Sequence, residues 1–423
     1  MECDSYTAIP TLLGGVGRVG VSGRPALVRG ALTRSVAAAV QRLRGGKGER
    51  LAQILRFSAG WIDLPRHASR LRKLIAHVNP DLVHAMRIPF EGLLASHALM
   101  KIPVPLVVSV WGNDFTYFAA KYPIIRLLTV RALARVDGLH TDCKRDQQLG
   151  LAHGFRRDRP ATVLPGAGGV DTGLFSPDLP RLGMRARFNI RPDAKIVTNP
   201  RGFRGYVRND VFFAAAARVL DVRPEVVFVA PGMMGVAVAE RWVRELGIQS
   251  GVRLVPTCDK LELASLLRES DLMVSPSEHD GTPNSLLEAM ASGTFPIVGD
   301  LPSIREWIAH GVNGSLVDQG DPEALAAAIL RALDAEEDRS LAADYNLRLI
   351  KQRADRNVVM QSAEEFYLQV IESCHGKRSD GVGNSGAMVR EVSLPSPTTL
   401  AADDHRVPGN RGGVVRRTDQ LEF

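Results

Sequence analysis

The sequence lacks the features of several protein classes. Its 423 residues contain only four cysteines, which lie far apart and match no metal-binding or redox spacing. No apolar run is long enough to span a bilayer, and no segment of the chain is repeated. We therefore expect reduced thiols, no cysteine-based metal centre and a cytoplasmic protein.

Acidic residues are scarce in the first part of the chain. Residues 18–73 include thirteen lysines and arginines but only two acids, Glu49 and Asp63. Residues 25–44 place apolar side chains on one helical face and arginines off it, which predicts a basic amphipathic helix. This pattern is typical of a solvated face over a packed helix, and the alternative is a helix peripheral to a membrane surface.

What the sequence does contain is the ordinary composition of a globular protein. Hydrophobic residues make up 45% and charged residues 23%, and the length is enough for two domains. The formal net charge of +7 is compatible with anionic ligands, anionic lipids or nucleic acid, and it does not select among them. From residue 375 onward Gly, Ser, Pro and scattered charges dominate, which predicts a disordered tail.

Apolar strand-like runs alternate with helical stretches in the first half of the chain, which predicts a doubly wound α/β domain. In such sheets ligands bind beyond the carboxyl ends of the strands. The apolar run at residues 105–110 ends at Trp111, and Asp114 follows in the same loop. His84 ends another strand, where its ring faces either a cleft or the domain interior. No clear opening strand is visible, so either it is disguised within residues 5–21 or the chain starts late.

An arginine-rich loop follows the first strand of the second half. Residues 196–199 predict a strand, and Arg201, Arg204 and Arg208 follow it before a helix. Guanidinium groups clamp phosphate oxygens through paired hydrogen bonds, so this loop suits phosphate binding. The alternative is an exposed basic loop without a ligand.

The most informative stretch, residues 272–298, predicts a strand, a loop, a helix and a second strand. Pro283 suits the first helical position, so the amides of residues 284–286 would point into the loop and form an anion site suited to a diphosphate. Glu288 lies one turn into the helix, where its carboxylate can accept hydrogen bonds from paired hydroxyls. Asp280 on the loop can reach another part of the same ligand. Two carboxylates beside a phosphate site indicate a sugar nucleotide, and a solvated surface loop is the alternative.

Asp280, Glu288 and the small-residue run that ends at Gly293 resemble the C-terminal signature of the family 4 glycosyltransferases. That family has the GT-B fold, in which two doubly wound, Rossmann-like α/β domains face a cleft. It usually has Glu at the first position, so Asp280 is one methylene shorter. The resemblance spans residues 80–374 and is more specific in the second domain. It implies that Asp280 contacts the donor sugar and that Glu288 contacts the ribose hydroxyls.

Other positions are assigned by the same resemblance. The family has an Arg at the position of Arg201 and a Lys a few residues later, for which Arg204 or Arg208 is the substitute. The nucleotide base is expected on the backbone near Pro256, and Glu306 is expected to cap or brace the site. The predicted catalytic residues are Asp280, Glu288 and Arg201. The predicted nucleotide-sugar-binding residues are Arg201, Arg204, Arg208, Pro256, Gly281, Thr282, Pro283, Asn284, Ser285, Leu286 and Glu288.

The acceptor side departs from the family at one position. The family loop often reads His-Gly-x-Asp, and here Trp111 replaces the His while Asp114 is retained. An indole cannot act as a general base, so direct proton abstraction at this position is in doubt, while stacking against a sugar ring stays open. The predicted acceptor-side residues are Trp111, Asp114 and His84.

The resemblance implies a retaining glycosyltransferase that moves a sugar from a nucleotide-sugar donor to an acceptor hydroxyl of a glycan, glycolipid or natural product. It implies no obligatory metal and no cofactor, and we expect no nucleic-acid partner. The alternatives are a sugar phosphorylase, for which no Lys motif for pyridoxal phosphate is visible, a nucleotide-sugar epimerase, and a non-catalytic GT-B partner or membrane-associated scaffold of a glycan biosynthesis complex. The predicted units are a basic helical N-terminal region at residues 1–79, an acceptor-side domain at 80–180, a nucleotide-sugar-binding domain at 193–356, a crossover helix at 357–374 and a disordered tail at 375–423.

The membrane interpretation of the basic N-terminal region is open to a direct test. Deletion of residues 1–60 should weaken sedimentation with anionic liposomes, because it removes most of the cations that would contact lipid phosphates. Liposomes of neutral lipid are the control. Equal binding of the full-length and shortened proteins to anionic liposomes would contradict the membrane interpretation.

Overall fold

The computed structural model describes residues 63–379 and two short strands near the start of the chain. These strands, β1 (Ile9–Pro10) and β2 (Val16–Gly17), pair antiparallel with each other and join neither of the larger described sheets. The predicted amphipathic helix at residues 25–44 and the predicted tail from residue 380 lie outside the described residues. Within the described part of the chain, no helix combines the length and apolar character needed to cross a bilayer.

The acceptor-side domain is built on a four-stranded parallel sheet in the order β3–β4–β5–β6. Every residue of β4 is buried, as its continuous apolar run predicts for a parallel strand covered on both faces. The strands are β3 (Val83–Ala85), β4 (Leu106–Val110), β5 (Gly138–Thr141) and β6 (Ala161–Val163). The helices are α1 (Leu64–Val78), α2 (Leu93–Ala98), α3 (Pro123–Leu133) and α4 (Lys144–Ala152), with π-helical turns at Ile88–Gly92 and Asp114–Ala119.

Helix α1 belongs to this domain rather than to a separate N-terminal region. Its residues Ala68 and Ile75 are buried in the same apolar core as Leu93 and Leu106. An amphipathic helix needs such a surface for its apolar stripe. The domain therefore extends back at least to Leu64, and the predicted boundary at residue 80 is too late.

The second domain, which is the predicted nucleotide-sugar-binding unit and is called the donor-side domain below, contains a six-stranded parallel sheet in the order β12–β11–β10–β7–β8–β9. Strand order runs one way from β7 to β9 and reverses at β10, which is the Rossmann arrangement and leaves a crevice between β7 and β10. The strands are β7 (Ile196–Thr198), β8 (Val227–Pro231), β9 (Val252–Val255), β10 (Leu272–Ser275), β11 (Phe295–Gly299) and β12 (Ser315–Val317). The helices are α5 (Met184–Arg187), α6 (Asn209–Val222), α7 (Ala237–Glu245), α8 (Lys260–Glu269), α9 (Asn284–Ala291), α10 (Pro322–Asp334) and α11 (Glu336–Arg353).

The sequence of residues 303–310 predicts a helix, but the structure has only a 3₁₀ turn there, Ile304–Glu306. The Asn313 side chain explains the early end of this turn. Its amide oxygen accepts from the Ala309 N–H at 2.8 Å, and its amide nitrogen donates to the Trp307 carbonyl at 2.9 Å. These are backbone groups that a longer helix would have to pair internally.

The last helix, α12 (Arg356–Ser379), returns to the acceptor-side sheet. Its residues Phe366 and Val370 pack on Val107. Gly138 makes this approach possible, because a Cβ there would lie 2.5 Å from a methyl carbon of Val370. The helix continues through Ser379, so the first residues of the predicted disordered tail are helical.

A chain of hydrogen bonds attaches α12 to the sheet. Tyr367 Oη lies 2.9 Å from His84 Nδ1, His84 Nε2 lies 2.7 Å from Ser109 Oγ, and Ser109 Oγ lies 2.8 Å from His140 Nδ1. His140 Nε2 lies 3.0 Å from the Leu164 carbonyl, which can only accept. When both rings are neutral, the direction of every hydrogen bond in the chain is therefore fixed. Tyr367 donates to His84, His84 to Ser109, Ser109 to His140, and His140 to the Leu164 carbonyl. His84 is engaged in this internal chain and does not line the cleft.

The hydrogen-bonded chain predicts a pH-dependent contribution to stability. Burial, with a smaller effect of His140, lowers the pKa of His84 to about 4. An unfolded histidine has a pKa of about 6.5, so this contribution is complete above that pH and is lost as the pH falls toward 4. The stability advantage of the wild type over His84→Gln should therefore shrink by about 2 kcal/mol between pH 7 and pH 5 in urea unfolding. A pH-independent difference would contradict a neutral, buried His84.

Candidate functional site

The reversal of strand order brings Arg201 and Asp280 into direct contact. Arg201 follows β7 and Asp280 follows β10, and Arg201 Nη2 lies 2.8 and 3.0 Å from the two carboxylate oxygens of Asp280. Only 8% and 12% of these side chains are exposed. Arg201 Nη1 also donates to Ser285 Oγ at 3.4 Å. Two of the three predicted catalytic residues thus meet at the crevice of the donor-side sheet.

The N-terminus of α9 opens beside this ion pair. The helix begins at Asn284, and the preceding Pro283 is extended and offers no capping side chain. The first amides of an α-helix have no partner within the helix, and together with the helix dipole they favour an anion. The geometry therefore suits a phosphate group between Arg201 and the start of α9.

Glu288 lies one turn into α9, and its carboxylate makes no hydrogen bond to any residue that the structure describes. Burial raises the pKa of Glu288, and the positive charge of Lys260 partly opposes that shift. The Glu288 side chain is half-buried and is not part of the lining of the cleft described below. Paired hydroxyl groups of a ligand are suitable donors to such a carboxylate.

A cleft of about 270 Å³ lies between the two domains at this point. Its lining combines residues that follow β3, β4, β5 and β6 in one domain with the loops after β7 and β10 in the other. The acceptor-side lining is Arg87, Trp111, Asn113, Asp142 and Gly166. The donor-side lining is Arg201, Arg204, Tyr206, His279, Asp280, Gly281, Thr282, Pro283 and Asn284.

Some predicted donor-site residues lie away from this cleft. Arg208 donates to both carboxylate oxygens of Asp210 at 2.9–3.3 Å, so the nearby acid holds it outside the cleft and Arg204 is the second arginine in the lining. Pro256 is exposed just beyond β9. The Leu286 side chain is fully buried in the core, and its amide donates to the Pro283 carbonyl at 3.0 Å, so of the predicted amides only those of Asn284 and Ser285 remain for an anion.

Asp114 stabilises the loop that follows β4, which is called the acceptor loop below. Its side chain does not line the cleft. Its carboxylate is fully buried, accepts from the Trp111 amide at 2.8 Å and pairs with Arg87 at 3.1 Å. Burial raises the pKa of Asp114 to about 6, and Arg87 opposes that shift. Arg87 was missed in the sequence, because a single arginine two residues beyond β3 carries no motif.

Trp111 forms a fixed wall of the cleft. Its indole nitrogen donates to the Met86 carbonyl, and its ring meets the edge of the His140 ring at 5.6 Å between centroids. Gly166 leaves room for the indole, since a Cβ at that position would lie 2.6 Å from the Trp111 ring. The tryptophan therefore offers a surface for stacking rather than a proton acceptor.

A set of contacts across the cleft was also missed in the sequence. Arg145 Nη1 donates to the Asp280 carbonyl at 2.9 Å and to Ser303 Oγ at 3.1 Å, while Nη2 donates to the Gly112 carbonyl at 2.8 Å. Glu306 accepts from the amides of residues 144 and 145 at 2.9 and 3.2 Å, so it caps α4 from the other domain. Only the capping or bracing role of Glu306 was expected.

Asp142, Cys143 and Asp146 form a buried group at the start of α4, with their potential ligand atoms within 4.8 Å of one another. Burial raises the pKa of all three, and the mutual repulsion of the two carboxylates adds to the shift of Asp142. Arg145 Nη2 pairs with Asp146 at 2.8 Å. These atoms are suitable for binding a cation, but the guanidinium already supplies positive charge there.

Comparison with known proteins gives matches to both domains. Residues 18–166 match the family described as glycosyl transferase 4-like domain, and residues 183–348 match glycosyl transferases group 1. The D-inositol 3-phosphate glycosyltransferase of Thermobispora bispora is 30% identical over 228 residues, which cover 52% of each chain. D-inositol 3-phosphate glycosyltransferase 2 of Catenulispora acidiphila is 32% identical over 264 residues, which cover 60% of this chain and 57% of the relative. The chain thus spans about half the length of the curated relatives it matches.

Solved structures with the same architecture include the sucrose-phosphate synthase of Thermosynechococcus elongatus. It superposes with a TM-score of 0.65 at 18% identity, covering 73% of this chain and 78% of that protein. Anabaena HepE in complex with UDP-glucose gives a TM-score of 0.61 at 17% identity, covering 73% of this chain and 82% of that protein. These similarities confirm the GT-B fold predicted from the sequence.

Two glycines test whether the domains close as the structure shows. Gly112 has a φ of +58°, and a Cβ there would collide with the Gly281 amide across the cleft. Gly235 has a φ of +75° but no heavy atom within 4 Å of a Cβ. Gly112→Ala should therefore increase the radius of gyration in small-angle X-ray scattering, while Gly235→Ala carries the same backbone strain without that increase. Identical scattering of the two variants would contradict the closed arrangement.

Proposed function

Because the chain belongs to the family 4 type of glycosyltransferase, with a group 1 domain at residues 183–348, we propose that it transfers a sugar from a nucleotide-sugar donor to an acceptor hydroxyl. The reaction retains the anomeric configuration of the sugar and needs no metal. The observation that carries this proposal is the Arg201–Asp280 pair beside the uncapped N-terminus of α9, with Glu288 one turn away.

Arg201 is the main phosphate ligand in this proposal. Its Nε is buried and has no hydrogen-bond partner among the described residues, although Nη2 is saturated by Asp280. A phosphate oxygen bound beside this guanidinium would match its charge and could supply the acceptor that Nε lacks. Arg204 lines the same cleft and adds a second positive charge.

Asp280 and Glu288 position the rest of the donor. Asp280 orients the Arg201 guanidinium and faces the sugar, while Glu288 accepts from the ribose hydroxyls. Charge develops on the diphosphate as the bond from the anomeric carbon to the phosphate oxygen breaks, and Arg201 with the first amides of α9 stabilises that charge. The HepE structure contains UDP-glucose, which makes uridine nucleotides the first donors to test.

Proton transfer does not require a side-chain base. Trp111 uses its indole nitrogen as a donor to Met86, and the Asp114 carboxylate is occupied beneath the loop. As the resemblance to retaining family 4 glycosyltransferases implies, the acceptor hydroxyl gives its proton to an oxygen of the departing phosphate, as its own oxygen bonds to the anomeric carbon on the same face. The relatives are named D-inositol 3-phosphate glycosyltransferases, which makes D-inositol 3-phosphate the first acceptor to test.

A non-catalytic GT-B partner is the second candidate function, because Trp111 stands where the family often has His. Nucleotide-sugar binding alone does not separate the two functions. Release of UDP from UDP-glucose, with and without D-inositol 3-phosphate, does so, because a scaffold would bind without turnover. Retention is checked by the anomeric proton coupling of the product in NMR.

The donor site makes a specific prediction for Glu288. Calorimetry with a panel of nucleotide sugars should show binding to the wild type and none to Glu288→Ala, since the ribose hydroxyls lose their charged acceptor. Glu337→Ala removes an exposed acid of α11 and is the matched control. Unchanged affinity in Glu288→Ala would overturn the assignment of this residue.

A further inference from the structure

Arg145 connects the two sides of the cleft. It is the second residue of α4 in the acceptor-side domain, and 16% of its side chain is exposed. Its guanidinium donates to carbonyls of both domains, Asp280 and Gly112, as well as to Ser303 Oγ. The remaining nitrogen, Nε, donates to Asp146 Oδ1 at 2.8 Å. Every nitrogen of this guanidinium is thus engaged.

The loops that Arg145 joins are those that carry the proposed chemistry. Gly112 directly follows Trp111, and Asp280 is the ion-pair partner of Arg201. The two loops touch at Gly112 and Gly281, where a Cβ on either residue would collide with the opposite domain. Small changes at this contact therefore alter the separation of donor and acceptor.

Two further carboxylates form hydrogen bonds across the same contact between the domains, which is called the joint below. Glu306 caps the amides of residues 144 and 145, and Asp142 Oδ2 accepts from the Thr282 amide at 3.2 Å. The Asp142 carbonyl also accepts from the Thr282 hydroxyl. The start of α4 is consequently held by the donor-side domain through its backbone and through Arg145.

The chemistry of arginine explains why this residue suits the joint. A guanidinium stays charged at any physiological pH, and its planar fork can donate to several oxygens at once. Opening the cleft removes its bonds to Asp280 and Ser303 but leaves those to Gly112 and Asp146. The bonds to Asp280 and Ser303 exist only while the cleft is closed, so their net stabilisation favours the closed arrangement.

We propose that Arg145 is a positioning residue, which sets the separation of the donor loop and the acceptor loop by bonding both backbones in the closed state. This inference rests on the proposed function. Arg145 acts through Asp280 and Gly112 rather than through contact with a reacting atom. Displacement of reacting groups by about 1 Å can lower a rate by about 100-fold, so Arg145 affects turnover more than donor binding.

Hydrogen exchange tests the joint without a substrate. In Arg145→Gln, peptides that contain the amides of residues 144, 145 and 282 should exchange at least about tenfold faster than in the wild type, because the carboxylates that hold them separate with the domains. Strand β8 should exchange equally in both proteins. Arg331→Gln, an exposed arginine of α10, is the control and should match the wild type. Unchanged exchange in Arg145→Gln would overturn the proposal.

A second variant guards against misfolding. Glu306→Gln keeps the Arg145–Asp146 pair but weakens the cap on α4, so the same amides should again exchange faster. If the amides of β8 also exchange faster in Arg145→Gln, that variant has unfolded. The exchange rates of Glu306→Gln then test the proposal. Slow exchange at residues 144, 145 and 282 in a folded Glu306→Gln would also overturn the proposal.

Kinetics separates positioning from a structural role. With UDP-glucose and D-inositol 3-phosphate, Arg145→Gln should lower kcat about 100-fold while the affinity for UDP-glucose in calorimetry stays within about threefold. Arg145→Lys keeps the charge without the fork and should recover only part of kcat. Full activity in Arg145→Lys, or equal losses of affinity and kcat in Arg145→Gln, would overturn the positioning role. A wild type with protected amides that binds no nucleotide sugar overturns the proposed function instead, and with it any catalytic use of this joint.

Discussion

The strand reversal between β7 and β10 is the constraint on which the donor site depends. Parallel strands end at the same edge of the sheet, and connections that leave in opposite directions keep a crevice open there. Arg201 and Asp280 occupy that crevice as a nearly buried ion pair. Removing one member would leave an unpaired buried charge, at a typical cost of about 3–5 kcal/mol. The pair therefore fixes the loop after β7 against the loop after β10 before any ligand arrives.

The second constraint is contact between backbones across the cleft. Gly112 and Gly281 meet without room for a side chain, and Arg145, Asp142 and Glu306 bind mainly to backbone groups around them. Backbone partners give a fixed position, since a carbonyl or amide cannot change rotamer. At the other side of the same domain, the hydrogen-bonded chain from Tyr367 to Leu164 holds α12 against the sheet. Helix α12 thus provides a second attachment of the acceptor-side domain, besides the contacts across the cleft.

Much of the donor-side domain could be predicted because its signals are local. The apolar runs that form β7, β8 and β10 are continuous and fully buried in the structure. The loop and helix from Asp280 to Ala291 carry their motif in consecutive residues. The strand order also follows from the predicted fold. The sequence alone did not show whether Arg204 or Arg208 is the second arginine of the cleft. The structure answers this question, because the Asp210 carboxylate holds Arg208 and Arg204 lines the cleft.

The remainder depends on contacts between distant residues and leaves no local pattern. His84 contacts Tyr367, which lies 283 residues later in the chain. The position of the His84 ring in the domain interior, rather than in the cleft, is therefore determined by a helix that is distant in sequence. Arg145 bonds two neutral carbonyls, and any residue supplies a carbonyl. The 3₁₀ turn at Ile304–Glu306 is ended by the side chain of Asn313. Helix propensities of the turn's own residues do not indicate this effect, because Asn313 lies outside the turn.

A crystal structure with UDP-glucose tests the central claim most directly. The diphosphate should lie between Arg201 and the first amides of α9, with a phosphate oxygen on Arg201 Nε and the ribose hydroxyls on Glu288. The glucose should lie toward Asp280, with the cleft closed over it. A diphosphate bound elsewhere, or a ribose beyond hydrogen-bond distance of Glu288, would contradict it.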